Sequence, residues 1–521
     1  MPIRRLPTIA VLVAALALLA SACGDSDPDD ESSGRDATTT TEPAVRGGTL
    51  VAAIDSDPGA LNPAATTSGG THTASELMFN GLVELDEKGQ PAAELAESWE
   101  IEDGGATYRF TLRDGVTWHD GQPFTSADVK YTFDEVLLKL HARTKASVAP
   151  ALEAIEAPDN TTVVFRFKQP YGPFLQQLDV TEAPIIPKHL YEGTDPLTNP
   201  ANQAPVGTGP FKFEAYTKGS EVRMVANPDY FKEGLPYLDG VVMRIIPDKA
   251  SQVTALEAGE VDWLFSAPGP DLSRLKAGDY GTLQTGINPG GSNCIMTVSF
   301  NLDRPLLKDV ETRKGIAQAV DREKFVERVL FGEGKVAAAP ISSGIPFAHG
   351  KNLDMPDFDK AAAEKTLDGA GWKRAGSGVR SSSGVDGVPD GTPLSFSFTH
   401  FPTFNQYAEL LVAQLAEVGV EVKSQPLEPP VFADTVFTKR DFDTNVISYC
   451  NGPDPEIGVR RMYTTANIGP VAFSNAAAYR NEKVDALFDT AQTSVERADR
   501  TKAYQEIQEI VVEELPYFWL V

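Results

Sequence analysis

Residues 205–231 read PVGTGPFKFEAYTKGSEVRMVANPDYF, and the organisation of the chain turns on them. Gly207, Gly209 and Pro210 punctuate the start, after which Phe211, Phe213 and Ala215 alternate with Lys212, Glu214 and Tyr216. Lys218-Gly219 is a turn signal, and Val222, Met224 and Ala226 open a second alternating run that Asn227-Pro228 stops. Period-two alternation on both sides of a glycine turn predicts a β-hairpin, because successive strand side chains point to opposite faces. Alone, such a hairpin suits any α/β domain.

At 521 residues and 41% apolar, the chain is long enough for two or three domains around a large buried core. Its 46 basic and 73 acidic residues give a formal net charge of -27. Such a chain repels phosphate backbones, and without a local basic patch it is no nucleic-acid binder. The six histidines (72, 119, 141, 189, 349 and 400) include no pair at the i, i+4 spacing of a helical zinc site. Gly-x-Ser-x-Gly, the phosphate-binding Gly-x-x-x-x-Gly-Lys-Ser/Thr, His-Glu-x-x-His and Cys-x-x-Cys are all missing, so an enzyme reading has no specific motif to rest on.

The N-terminus reads as an address. Arg4 and Arg5 precede an apolar run from Ile9 to Ala20, then Ser21, Ala22 and Cys23. A basic start, a short apolar core and small residues at a cut site describe a secretory signal peptide, too short for a comfortable membrane span. Ending at Cys23, it resembles a lipoprotein signal in which that thiol is lipidated, although Ala20 stands where Leu is usual. Residues 24–46 are Asp, Ser, Thr and Gly with little apolar content, a composition expected to remain a disordered linker.

The body opens with an apolar strand at Leu50–Ile54, then the small polar loop TTSGGTHT at 66–73 before a helical pattern. Glycine- and hydroxyl-rich strand-to-helix loops are a usual place for ligand contacts; a solvated loop is the equal alternative. Residues 92–137 read AAELAESWEIEDGGATYRFTLRDGVTWHDGQPFTSADVKYTFDEVL, two half-buried strands followed by a helix with Ser126 as its N-cap candidate. His119-Asp120, just before Gly121, reads as turn chemistry. Val241–Ile246, Ser251–Ala258 and Val261–Leu264 form a β-α-β order, which implies parallel pairing through a right-handed crossover. Farther on, Leu394–Thr399, Phe404–Val418 and Val420–Ser424 repeat that order, Asp443–Tyr449 is a strand and Asp485–Val511 reads as two amphipathic helices. Arg374–Asp390, rich in Ser and Gly, reads as a loose surface insertion.

Two of these blocks carry a resemblance. Thr-Gly-Pro-Phe, an aromatic-rich strand, a glycine turn and Asn-Pro-x-Tyr-Phe resemble the bacterial extracellular solute-binding proteins of family five, the oligopeptide, dipeptide and nickel receptors of ABC importers. So do the Leu-Ala-x-Ser-Trp strand, the Leu-Arg-x-Gly-Val-x-Trp-His-Asp-Gly hairpin and the Thr-x-x-Asp-Val-x-Tyr helix start. The resemblance implies an α/β periplasmic-binding-protein fold of type II-like form, two lobes joined by hinge strands plus an extra subdomain. The expected boundaries are lobe one at 47–85 and 205–293, the subdomain at 86–204 and lobe two at 294–521. It also implies a monomeric, cofactor-free receptor without catalysis, anchored outside the cell membrane. That receptor captures a small peptide or other small solute by hinge closure and delivers it to permease and ATPase subunits. Past Pro516-Tyr517 the family's chain normally continues and crosses back into lobe one, so a truncated C-terminus is one expectation.

With Cys23 in the leader, Cys294 and Cys450 remain. Export favours their pairing, and some oligopeptide receptors of the family carry such a disulfide beside the cleft; two unrelated buried thiols are the alternative. In peptide receptors a block resembling Trp-x-x-Asp-x-x-Asp/Glu-Pro follows, whose first Asp holds the ligand's α-ammonium. Here Ser448 to Pro455 read SYCNGPDP, and that Asp position falls on Asn451 or Gly452, neither a carboxylate. Asp454, Asp57 or Glu428 then become candidates for the charge, or the ligand lacks an amine there. The expected ligand contacts are Thr67, Ser68 and His72 from lobe one, with Asn405, Tyr407, Phe432, Tyr449 and Asn451 from lobe two. A sugar oligomer or a nickel chelate is the alternative cargo, and an anchored hydrolase the remote one.

Overall fold

A computed structural model describes residues 45–521 apart from 87, 268, 279, 281–292 and 352. The leader, Cys23 and all but the last two residues of the linker lie outside the described residues. The hairpin forms: Phe211–Thr217 pairs antiparallel with Glu221–Ala226 across Gly219, which sits at φ 73. Positive φ is the conformation a side chain resists, so the glycine is what makes the turn possible.

The hairpin is one edge of a five-stranded sheet. Glu221–Ala226 pairs antiparallel with Gly240–Ile245, which runs parallel to Thr49–Ile54, itself parallel to Trp263–Leu264. The expected β-α-β strands are therefore parallel but not neighbours, since the N-terminal strand lies between them. Its apolar run takes the place between them, a pairing across nearly two hundred residues that local pattern does not encode.

A four-stranded antiparallel sheet follows, ordered Ala96–Glu102, Thr107–Leu112, Thr162–Phe167 and Leu152–Asp159. It does not have a core of its own: one contiguous apolar cluster runs from Ala52 and Leu82 through Phe110, Phe165 and Phe174 to Met243. His119 ties the two sheets together. Its Nδ1 accepts from the Gly207 N–H at 3.2 Å and its Nε2 donates to the Gly209 carbonyl at 3.0 Å. Burial pushes the imidazole down to about 4, which keeps it in the neutral form that can accept and donate at once. Beneath the same loop a Cβ on Gly207 would sit 1.7 Å from the Met78 carbonyl oxygen, so only glycine lets the backbones approach. The helix after this hairpin, Ser126–Tyr131, is capped by Thr125 rather than by Ser126, because Thr125 and Asp128 close a capping box.

The second body has its own five-stranded sheet and its own core, from Ile295 to Leu520. Ser395–His400 lies parallel to Glu421–Pro426 on one side and to Thr444–Asn451 on the other. The helix Asn405–Glu417 makes the crossover. Asn293–Phe300 pairs antiparallel with Thr444–Asn451, and Tyr517–Trp519 adds the last strand. Within that register Cys294 faces Cys450, and their sulfurs are bonded at 1.99 Å. Residues 374–390 are not loose. Arg380 is buried and donates to the carbonyls of Val418 and Trp372, both at 2.7 Å, and to Asp368 at 2.6 Å, pinning a short hairpin to the core.

Candidate ligand-binding site

The contacts expected from lobe one begin in the polar loop. Thr67 is half-buried and Ser68 exposed at the N-terminus of the helix Gly69–Ser75. One turn in, His72 is buried, with Nδ1 2.7 Å from Glu76 Oε1 and Nε2 2.8 Å from the Thr66 carbonyl. Its ring lies edge-on to His141 at 6.1 Å. Burial, then the neighbouring Arg143 charge, push His141 down to about 3. Arg143 donates to Glu182 at 2.8 Å. Burial raises the carboxyl groups of both Glu182 and Asp179, and the Glu182 charge raises Asp179 further. His72 therefore belongs to a charged cluster with Glu76, His141, Arg143, Asp179 and Glu182.

On lobe two the strand Thr444–Asn451 carries Tyr449 and Asn451 on the same face by strand alternation. Tyr449 is 2% exposed and forms part of the core, while its hydroxyl faces Ser299 Oγ without hydrogen-bond geometry to it. Among the described residues Tyr449 Oη, Asn451 Oδ1 and Arg461 Nε are buried and have no hydrogen-bond partner. Arg461 sits in the short helix Arg460–Tyr463. Burial lowers its guanidinium from the ordinary value, the Tyr449 phenol opposes this, and the Arg143 charge from the subdomain lowers it further.

The remaining expected contacts stand apart from this set. Asn405 is exposed as the first residue of its helix. Tyr407 stacks on Phe325 at 5.8 Å, and Phe432 is 0% exposed with Phe401 at 4.6 Å and Phe437 at 6.3 Å against its ring. Both aromatic rings are occupied by the lobe-two core rather than presented at an open surface. Two surface cavities of about 760 and 870 Å³ open on lobe two near Arg313 and near Lys365, and none of the expected residues lines them.

The substitute carboxylates are committed elsewhere. Asp454 is 0% exposed and its two oxygens accept from Arg500 Nη2 at 2.8 and 2.7 Å. Asp57 accepts from the Tyr216 hydroxyl and from the Gly59 and Gly219 amides, which hold its carboxyl below the usual range and staple the hairpin turn. Glu428 is exposed before a short helix. Arg461, Arg143 and Glu182 escaped the sequence reading. The signal was present for one of them: Arg460-Arg461 is a charged doublet inside the otherwise apolar run Ile457–Tyr463.

Residues 90–470 match the middle region of the bacterial extracellular solute-binding proteins, family 5. This chain belongs to that family. It is 29% identical over 520 residues to the oligopeptide-binding protein AppA of Bacillus subtilis, covering 97% of this chain and 91% of the relative. The probable D,D-dipeptide-binding periplasmic protein DdpA of Escherichia coli is 28% identical, with 90% and 88% covered. Among solved structures, Bacillus subtilis AppA in complex with a nonapeptide superposes with a TM-score of 0.71 at 28% identity, covering 91% of this chain and 93% of that one. NikA from Brucella suis in complex with Fe(III)-EDTA gives 0.78 at 26% identity with the same coverage. The fold is accordingly that of the periplasmic binding proteins. Among the described residues no helix is long and apolar enough to cross a membrane.

Proposed function

We propose that this family 5 chain is the lipid-anchored extracytoplasmic receptor of an ABC importer, captures oligopeptides or dipeptides by closure of its lobes, and passes them to the permease. The observation that carries this reading is the group of buried polar atoms without partners at the C-terminal end of Thr444–Asn451. Ligands of open α/β sheets bind outside the carboxyl ends of strands, and a buried donor or acceptor left unpaired is costly until something satisfies it. Relatives named for oligopeptide and dipeptide binding support the cargo class.

Closure in this reading is a population shift: ligand contacts to both bodies favour the closed arrangement that the permease recognises. The Gly172 amide, which donates to the Gln492 carbonyl at 2.8 Å, joins the subdomain to lobe two and is a contact such closure would use. Cys23 is the proposed anchor, in a monomer with no catalytic step.

A second reading, a solute without a free ammonium such as a nickel chelate or sugar oligomer, is favoured by the identity of Asn451 and by the engagement of Asp454 with Arg500. Mass spectrometry of material co-purifying with the full chain separates the two. Calorimetry on Asn451→Asp adds a second test: restoring the carboxylate is expected to raise affinity for free-amine peptides over their N-acetylated forms. Equal affinities for both forms in wild type and variant would move the assignment to the second reading.

A further inference from the structure

Lobe two meets the subdomain at the turn between its last two helices, Glu482–Thr493 and Arg497–Glu514. Two subdomain glycines allow the approach: a Cβ on Gly105 would lie 2.2 Å from Val495 Cγ1, and one on Gly172 would lie 3.3 Å from Arg500 Cδ. The Gly172 amide donates to the Gln492 carbonyl at 2.8 Å, and the Gln492 side chain reaches inward, its Nε2 donating to Glu456 Oε1 at 2.7 Å. Gln492 thus ties the docking contact to a carboxyl group whose side chain is only 4% exposed. That carboxyl is poorly served as an anion. Its Oε2 is buried without a hydrogen-bond partner among the described residues. Arg460 Nε stands 3.6 Å from Oε1, while Arg460 Nη2 is committed to Asp489 at 2.6 Å and Nη1 is unpartnered. Asp454, from the same loop, adds a like charge that is already spent on Arg500. Tyr171 of the subdomain, with Arg500 and Tyr504 of the last helix, completes the titratable groups in its field. A buried carboxylate with one oxygen unpaired is costlier than the neutral acid.

We propose that Glu456 is a positioning residue for lobe closure: as the neutral acid it holds Gln492 to receive the Gly172 amide, so that closing on a solute takes up one proton. The inference rests on reading the chain as a solute receptor that closes, and it adds the proton to what closure binds. The step is a protonation alone: the Glu456 carboxylate takes a proton from water or buffer, and no bond of the solute changes. When the subdomain leaves the Gln492–Val495 turn, water reaches the carboxylate and the proton is released. In the docked arrangement burial raises this carboxyl from its ordinary 4.5 to about 7. The sign follows: the gain in the docked state is complete below pH 4.5 and is lost as the pH rises through about 7. Capture therefore tightens on acidification.

The test uses the full chain and a mixture of tri- and tetrapeptides free of Asp, Glu and His, whose own groups hold their charge between pH 5 and pH 7. Calorimetry on wild type is expected to show affinity falling about tenfold to fortyfold from pH 5 to pH 7. Paired titrations at pH 6, in buffers of low and high ionisation heat, are expected to count about one proton taken up per peptide bound. Glu456→Gln keeps the shape of the neutral acid and is expected to bind with one affinity across that range and no proton uptake. A wild-type affinity that stays flat with pH, or a slope that persists in Glu456→Gln, overturns the inference while the peptide receptor stands. If no peptide binds at any pH, the peptide reading falls, and hydrogen exchange of the Gly172 amide in the free protein decides the proton link. Its protection, corrected for the intrinsic pH dependence of exchange, is expected to be greater at pH 5 than at pH 7 in wild type and equal in Glu456→Gln. Protection that ignores pH in wild type, or follows it in both proteins, would refute the link.

Discussion

Removing the Asp454 carboxylate with Asp454→Ala leaves the Arg500 guanidinium, 3% exposed, without its counter-charge. Arg500 keeps a bond to the Ala491 carbonyl at 2.8 Å and one to the Tyr504 hydroxyl at 3.1 Å, but neither neutralises it. Stranding a buried charge costs about 3–5 kcal/mol, more than a neutral hydrogen bond because the whole desolvation of the ion is uncompensated. With a urea m-value of about 3 kcal/mol/M, the unfolding midpoint of lobe two is expected to fall by roughly 1–2 M. Fluorescence of the buried lobe-two tryptophans Trp372 and Trp519 reports that transition. Adding Arg500→Met in the same chain removes the stranded charge, so the double variant is expected to be more stable than Asp454→Ala alone. The reasoning is refuted if Asp454→Ala keeps the wild-type urea midpoint yet abolishes binding of free-amine peptides. Asp454 would then be the ammonium anchor, and Arg500 no more than a neighbour.

Other expectations follow from separate features. Burial raises the Glu456 carboxyl from its ordinary 4.5 to about 7, so the folded state holds its proton more tightly than the unfolded chain. Its contribution is complete below pH 4.5 and is lost as the pH rises through about 7; Glu456→Gln, measured by urea midpoints across that window, should abolish a loss of up to about 3 kcal/mol. Cys294→Ser opens a loop spanning 156 residues and is expected to lower lobe-two stability by up to about 5 kcal/mol, with a reducing agent reproducing the effect on wild type only. A Cβ on Gly172 would lie 1.7 Å from the Ser494 carbonyl oxygen, at the contact between subdomain and lobe two. Gly172→Ala should therefore weaken ligand binding by calorimetry about tenfold, through closure, while the urea midpoint stays near wild type. An unchanged affinity would remove this contact from the closure mechanism.

Sequence alone determined the local grammar of this protein. Alternation around Gly219 set the hairpin, the Ser395–Pro426 unit was legible as strand, helix and strand, and the blocks around Trp118 and Phe211 carried the family. These features are readable because strand period, turn glycines and helix faces are properties of neighbouring residues. It also located the departure from peptide receptors at Asn451 and Gly452, since identity at an aligned position needs no coordinates. The aromatic candidates were less legible: Phe432 and Tyr407 have the chemistry of a pocket and of a core alike, and a sequence cannot say which neighbours fill their faces.

Only the tertiary structure decided which charges are spent and which are free. Asp454 looked available until Arg500, from the last long helix, closed on it, and Asp57 until Tyr216 came round the hairpin. Thr49–Ile54 entered between two strands that sequence order would have paired, because burial on both faces outweighs proximity along the chain. His119, a turn residue by its neighbours, clasps Gly207 and Gly209 from another sheet. Whether a charge is paired becomes visible only when every potential partner has been placed in space.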